Sequence, residues 1–189
     1  MSELYALKEW AVICAAIDQG LQTITLRKGG IEEEEGQFVP RHLEFLLYPT
    51  FEHQNSADIQ PQQLALFNNS KPGAHPGRVV FNLWATCERV VEVASRETAK
   101  ALAVFTLWTP EALVKRFNLY PAKPLLLLLL RAYRLNTPVI APEDPSYAGC
   151  RSWVPLVDLS LPPEIIGAPV LPDRIFHQTA QKIEAIAKP

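Results

Sequence analysis

A basic turn, Arg27-Lys28-Gly29-Gly30, contains the residue types that hold a phosphate group. The planar guanidinium of Arg27 can contact two phosphate oxygens at once, and Lys28 adds a compact positive charge. The amides of Gly29 and Gly30 can turn toward an anion, because glycine adopts backbone conformations closed to other residues. The turn therefore predicts an anion-binding site. The competing interpretation is a solvated strand end whose cations neutralise the glutamates at 32–35.

A second group of side chains, His42, Glu44 and His53, has the chemistry of a metal site or of general acid–base catalysis. Two imidazoles and a carboxylate can hold zinc, iron or manganese, or can transfer protons without a metal. The spacing matches no recognised metal motif, so a chance grouping is the simpler interpretation. A hydrolase using these residues stays an alternative, and the sequence specifies no cofactor.

Two further segments, 48–54 and 151–153, would complete a groove with the basic turn. They offer aromatic faces for base stacking together with hydroxyl, amide and guanidinium groups. The ligand-binding residues that we predict are Arg27, Lys28, Gly29, Gly30, Tyr48, Thr50, His53, Gln54, Arg151 and Trp153. For Trp153 the alternative is a core position, and for Gln54 it is a hydrogen bond that closes a turn.

The composition is that of a globular protein, with 48% apolar and 20% charged residues among 189. We expect one domain over residues 1–189. A net charge of −2 argues against a protein that binds nucleic acid over its whole surface, although a local basic groove is compatible with it.

The three cysteines, Cys14, Cys87 and Cys150, are odd in number and widely spaced. They favour structural thiols in a reducing compartment over a disulfide framework. The longest apolar run, 125–130, is far too short for a membrane span. The N-terminus lacks the pattern of a secretory signal, so the expected location is cytoplasmic.

The elements that would position these residues are strands in the first half of the chain. Residues 10–18 and 21–28 flank Gln19-Gly20 and predict a β-hairpin that leads into the basic turn. Residues 42–48 predict a third strand, ended by Pro49, with His42 and Glu44 on one face. Residues 55–77 are rich in Asn, Gln, Pro, Ser and Gly and predict a long excursion with one short helix.

The second half mixes strands and helices. Strands are predicted at 78–94, which would be bent, at 124–135, where prolines at 121, 124 and 138 disfavour the alternative of a buried helix, and at 152–156. Thr109 caps a predicted helix. The best helix is 172–188, with an apolar stripe formed by Ile175, Phe176, Thr179, Ile183 and Ile186. This order predicts an α+β fold with a bent, mostly antiparallel sheet or small barrel and a C-terminal helix.

Motifs along most of the chain resemble one known family. They are Lys8-Glu9-Trp10, Arg27-Lys28-Gly29-Gly30-Ile31, Glu44-Phe45, Tyr48-Pro49-Thr50, His53-Gln54, Leu130-Arg131 and the stretch 147–156. Together they resemble domain of unknown function family 1802, an uncharacterised bacterial family that is largely cyanobacterial. The resemblance implies no established activity. Some relatives in that family carry a restriction-endonuclease-type domain, so it implies a nucleic-acid context and an accessory role in a restriction-type system.

The sequence thus predicts a module that binds nucleic acid or a nucleotide-like anion where residues 27–30, 48–54 and 151–153 meet. A metal-assisted hydrolase built on His42, Glu44 and His53 is the first alternative. A protein–protein interaction module or accessory subunit is the second, because prolines at 61, 72, 76 and 138–145 would form semi-rigid docking loops. Nucleic acid is the expected partner, no membrane partner is expected, and the oligomeric state stays open.

Overall fold

The computed structural model describes residues 4–28, 42–70, 77–149, 151–156 and 159–187. Within these residues seven strands form one strongly curled, mixed sheet against which helices pack. The strands are β1 (Leu4–Trp10), β2 (Ile24–Lys28), β3 (Glu44–Thr50), β4 (Arg78–Glu92), β5 (Leu125–Pro142), β6 (Trp153–Leu156) and β7 (Ile166–Pro169). The helices are α1 (Ala11–Asp18), α2 (Leu64–Asn69), α3 (Arg96–Ala101), α4 (Pro110–Asn118) and α5 (Asp173–Ala187).

The sheet order is β2-β5-β4-β3-β1-β6, with β7 paired to β5 outside this path. β1 and β3 run parallel, and the other pairs are antiparallel. The predicted α+β class with a bent, mostly antiparallel sheet and a C-terminal helix is therefore confirmed.

The two faces of the sheet bury two separate hydrophobic clusters. Successive residues of a strand point to opposite faces, so Leu7 of β1 joins the larger cluster and Ala6 joins the smaller one. The larger cluster includes buried residues of α1 and α5, such as Ile17 and Ile183. The smaller cluster includes Tyr147. Because of this alternation the side chains of Lys8 and Glu9 lie on opposite faces of the sheet, and they therefore contact different parts of the fold.

The predicted hairpin is wrong in its first half, because residues 11–18 form α1. Six of the eight helical residues are buried, so the stretch is apolar nearly all round and carries no alternation that would identify a strand. Alanine, which occurs three times in this helix, has the highest helix propensity. Gly20 supplies the positive φ of the following turn (70°), and residues 24–28 form the predicted strand β2.

Prolines interrupt the strands less than predicted. Pro49 lies inside β3, where it pairs with Glu9 across the parallel ladder. Pro138 lies inside β5, which continues to Pro142 instead of ending at residue 135. The register between β4 and β5 shifts beside Pro138, where the ladder is already irregular. A missing backbone donor is tolerated at such a position.

The later helices follow the predictions closely. Thr109 caps α4 through the amide of Ala112, and α5 covers the predicted C-terminal segment. The buried residues of α5 are Phe176, Ala180, Ile183 and Ala187. Ile175 is exposed, so the stripe is rotated from the prediction. No helix among the described residues is long and apolar enough to cross a membrane.

Candidate ligand-binding cleft

A cleft opens where β3 and β4 separate. The two strands pair only over Glu44–Leu46 and Trp84–Thr86. Beyond Leu46, β3 stays paired with β1 on one side, and β4 stays paired with β5 on its far side. The edges of β3 and β4 that face each other across the gap therefore have no ladder partner within the described ranges. Where such an edge reaches the cavity, its unpaired main-chain donors and acceptors can bind a ligand.

The cleft has a volume of about 920 Å³, which lies in the range of small-molecule binding sites. One wall is the end of β3 and the residues after it, and the opposite wall is the start of β4. Helix α1 presents Ala11, Cys14, Ala15 and Asp18 to the cleft, residues spaced so that they share one helical face. The loop that follows β5, at 143–148, forms the remaining side.

Lys8 anchors this loop to the sheet. Its Nζ donates to the carbonyl oxygens of Tyr147 at 2.7 Å and Gly149 at 3.2 Å, and it lies 5.4 Å from the centre of the Tyr48 ring. Only 7% of Lys8 is exposed. The ammonium is thus held by carbonyl dipoles and an aromatic face rather than by a carboxylate.

Tyr48 and Glu143 form a hydrogen bond across the cleft. The Tyr48 hydroxyl donates to Glu143 Oε1 at 3.2 Å. Burial, followed by the negative charges of Glu143 and Glu52, raises the pKa of the Tyr48 phenol above its usual value. Tyr48 therefore stays a neutral donor at physiological pH.

Among the described residues that line the cleft, negative charge exceeds positive charge. The carboxylates are Asp18, Glu52, Glu143 and Asp144, against the cations Lys8 and Arg78. Three of the carboxylates already have partners: Asp18 pairs with Arg134 at 2.8 Å, Glu143 accepts from Tyr48, and Asp144 accepts from the amide of Ser146 at 2.7 Å. The cleft therefore suits a ligand that carries little negative charge.

Three exposed side chains of the cleft have no side-chain hydrogen bond or ion pair within the described ranges. Arg78 begins β4, and Asn82 lies at the irregularity between Phe81 and Leu83. Phe51 directly follows β3 and is 39% exposed. A guanidinium, an amide and an aromatic ring are thus available around one cavity.

The structure assigns Arg27 a structural contact instead of an open anion site. Its Nη2 donates to the backbone carbonyl of Lys8 and lies 3.8 Å from Glu9 Oε2. Glu9, 5% exposed, also accepts from the Thr25 hydroxyl and from the amide of Trp10. Arg27 therefore neutralises a buried carboxylate on the sheet face opposite Lys8.

Lys28 is also engaged within the protein. Its Nζ donates to the carbonyl of Phe117, at the end of α4, at 2.6 Å and lies 5.2 Å from the ring centre of the same residue. Partial burial lowers the pKa of Lys28 from its usual value. The predicted positions Gly29 and Gly30 lie outside the described residues.

The predicted segment 48–54 divides between two roles. Tyr48 and Thr50 line the cleft, as do Pro49, Phe51 and Glu52. Gln54 instead accepts from the amide of Val12 at 3.1 Å, in the first turn of α1. His53 is exposed in a left-handed conformation, with φ of 59°.

Trp153 packs within the fold, and Arg151 is exposed beside it. The Trp153 ring meets Phe45 edge-on at 5.0 Å and His42 at 5.2 Å. Neither Arg151 nor Trp153 lines the cleft. Among the described residues of the three predicted segments, only residues 48–52 line this cavity.

His42, Glu44 and His53 are not brought together. His42 precedes β3 and stacks on Tyr5 at 3.5 Å, whereas His53 follows the same strand. A strand of seven residues spans about 20 Å, so the two imidazoles lie at opposite ends of it. No group of three or more His, Cys, Asp or Glu side chains suited to a metal occurs in the described part of the chain.

A profile of the family described as "Domain of unknown function (DUF1802)" matches residues 6–182. The chain belongs to the DUF1802 family. The resemblance drawn from the sequence motifs is confirmed over nearly the whole chain. A solved structure of a ZmASCH mutant protein from Zymomonas mobilis is similar with a TM-score of 0.48 and 12% identity, over 82% of this chain and 89% of that chain. Comparison with curated proteins finds no match.

Sequence reasoning missed several cleft residues of this DUF1802 chain. Lys8 belongs only to a motif of the family resemblance, and Phe51, Arg78 and Asn82 are not among the predicted ligand-binding residues. Two local signals were present: an aromatic residue directly after a strand-end Pro-Thr pair, and an arginine directly after Pro76-Gly77. The gap between β3 and β4 left no local signal, because it depends on where two distant strands stop pairing.

Proposed function

We propose that this DUF1802 protein binds one nucleotide unit, free or within a nucleic acid, in the cleft between β3 and β4. The gap carries the proposal: two unpaired strand edges face a cavity of about 920 Å³. A nucleobase edge presents alternating donors and acceptors, and main-chain amides and carbonyls can complement that pattern.

The available side chains suit the three parts of a nucleotide. Phe51 offers an exposed ring on which a base can stack. The amide of Asn82 can make two hydrogen bonds with a base edge. Arg78 can contact a phosphate with its planar fork. All three line the same cavity.

The carboxylates restrict the number of phosphates. Glu52, Glu143 and Asp144 can accept hydrogen bonds from ribose hydroxyls or amino groups of the base, but they repel additional negative charge. We therefore expect nucleoside monophosphates to bind more tightly than the corresponding triphosphates. The proposed site therefore differs from the groove predicted from the sequence. Tyr48 and Thr50 belong to both, whereas Arg27 and Lys28 do not belong to the proposed site.

A cytoplasmic location belongs to the same proposal. Cys14 and Cys87 are buried free thiols, which are typical of proteins that fold in a reducing compartment.

Calorimetric titration with AMP, CMP, GMP, UMP and ATP tests the proposal. We expect saturable binding of at least one monophosphate and weaker binding of ATP. Arg78→Ala should weaken the monophosphate about tenfold and leave the nucleoside unchanged, since only the phosphate contact is lost. Phe51→Ala should weaken both. Arg174→Ala, which removes an exposed arginine from α5, is the matched control. Binding of no monophosphate, or equal affinities for the two arginine variants, would contradict the proposal.

A further inference from the structure

A group of cations surrounds the C-terminal end of α4, away from the residues that line the cleft. Two of them, Lys28 and Arg96, contact this end from other elements. Lys28 Nζ reaches the carbonyl of Phe117, and Arg96 Nε donates to Asn118 Oδ1 at 2.8 Å. Arg116 Nε donates to the carbonyl of Leu26 at 3.1 Å and thereby ties α4 to β2. Lys115 is exposed on the last turn of α4.

Within the described ranges these cations have no carboxylate partners. Among the described residues, no carboxylate lies within ion-pairing distance of Lys28, Arg96, Lys115 or Arg116. Their arrangement partly reflects helix capping, because a cation at a helix C-terminus stabilises the last carbonyls. Lys28 alone makes such a contact with a carbonyl of α4. The charges of Arg96 and Lys115 therefore remain available at the surface.

Exposed side chains lie among these cations. Leu119 and Tyr120 follow α4 and are 51% and 49% exposed. The Nζ of Lys123 lies 5.9 Å from the centre of the Tyr120 ring. Tyr120 has a positive φ of 50°, which is uncommon for a residue with a large side chain. The turn thus presents an aromatic ring at the surface beside the cations.

We propose that this basic patch, formed by Arg96, Lys115 and Tyr120, contacts the backbone and one base of a single-stranded nucleic acid. Cations interleaved with an exposed aromatic ring fit such a strand, because phosphates need positive charge and every base has a face that can stack. An acidic peptide would use the cations but would not need the ring. This inference deepens the proposed function and rests on it, because the nucleotide in the cleft then belongs to a polymer.

Fluorescence polarisation with a labelled single-stranded 12-mer at 50 and 200 mM salt tests the patch. The double variant Arg96→Ala/Lys115→Ala should bind the 12-mer about tenfold more weakly at low salt. The slope of log affinity against log salt should become shallower by about 1.4, since each phosphate contact on a single strand contributes about 0.7. Tyr120→Asn removes the ring but keeps a residue that tolerates positive φ, and it should lower the affinity by about tenfold.

The matched control removes two exposed cations from α5, Arg174→Ala/Lys182→Ala, and should leave the slope unchanged. A patch variant that behaves like this control would overturn the inference, as would a polyglutamate peptide bound as tightly as the 12-mer. Patch variants should bind mononucleotides with wild-type affinity. If the 12-mer binds through the patch while no mononucleotide binds, the cleft proposal fails and the patch stands. If mononucleotides bind but the patch variants bind the 12-mer with wild-type affinity, the patch proposal fails and the cleft proposal stands.

Discussion

The Nζ of Lys8 donates a hydrogen bond of 2.7 Å to the carbonyl oxygen of Tyr147, a residue 139 positions further along the chain. The bond joins β1 to the loop that closes one side of the cleft. A largely buried ammonium held by two carbonyls fixes the loop more firmly than a surface contact, because burial shields the hydrogen bonds from competing water.

Replacement of Lys8 should therefore loosen this loop. Lys8→Met keeps most of the side-chain volume but leaves the carbonyls of Tyr147 and Gly149 without their donor. We expect the free energy of unfolding to fall by about 3 kcal/mol in urea titrations. Lys182→Met makes the same substitution at an exposed position of α5 and should change it by less than about 0.5 kcal/mol. Equal effects of the two variants would show that the Lys8 contacts contribute nothing.

Replacement of Arg27 should mainly lower the stability of the fold, rather than weaken the binding of a ligand. Arg27→Ala leaves Glu9 buried without its cation, and we expect a loss of about 3 kcal/mol in the free energy of unfolding. Glu9→Gln removes the charge that needs compensation, so the double variant should be more stable than the sum of the single losses predicts. Additive losses in the double-mutant cycle would argue against a coupled pair.

Gln54 supplies the N-terminal cap of α1 from 42 residues away. Trp10, at the N-cap position, makes no side-chain cap hydrogen bond. Gln54→Ala should lower the free energy of unfolding by about 1 kcal/mol. Gln54→Glu keeps an acceptor and adds a negative charge near the helix N-terminus, so it should retain stability. Equal losses in both variants, measured by urea unfolding, would exclude the capping role.

Alkaline pH should destabilise the fold. Burial raises the pKa of Cys87 to about 11 and also raises those of the Cys14 thiol and the Tyr48 phenol. In the unfolded chain these groups ionise at lower pH than in the fold, so their contribution is complete below about pH 8 and is lost as the pH rises toward 11. Lys28 opposes this trend. Its pKa is lower in the fold than in the unfolded chain, so the deprotonation of Lys28 at alkaline pH increases the stability of the fold.

Urea midpoints at pH 8 and pH 10.5 measure this effect. We expect a lower midpoint at pH 10.5, and a smaller difference in Cys14→Ala because one ionising group is removed. A midpoint that is constant or rises between these pH values would contradict the burial of these groups.

Strong local signals in the sequence were sufficient to predict several helices and strands. The Thr109-Pro110 start of α4 contains its own cap and its own first turn, so no distant residue was needed. The strand prediction for residues 11–18 was wrong because their apolar side chains fit a helix and a buried strand equally well. The residue that caps this helix, Gln54, is also remote in sequence.

The candidate site was only partly predictable for a related reason. Residues 48–52 reach the cleft because they end a strand, and the sequence showed that end approximately. Arg27 has the chemistry of a phosphate ligand, but its partner Glu9 lies on β1, a strand that is not adjacent to β2 in the sheet, so no local pattern reveals the contact. Residue type and spacing show which chemistry is available, whereas tertiary pairing decides which of those groups are already used.

The most direct test of the cleft is an amide chemical-shift titration of the ¹⁵N-labelled protein with the mononucleotide that binds most tightly. We predict that the largest shifts occur at Thr50, Phe51, Val80 and Asn82, with no shift at Lys115 or Tyr120 until a 12-mer replaces the mononucleotide. Shifts confined to residues outside the β3–β4 gap, or no shifts at saturating ligand, would contradict a nucleotide site in this cleft.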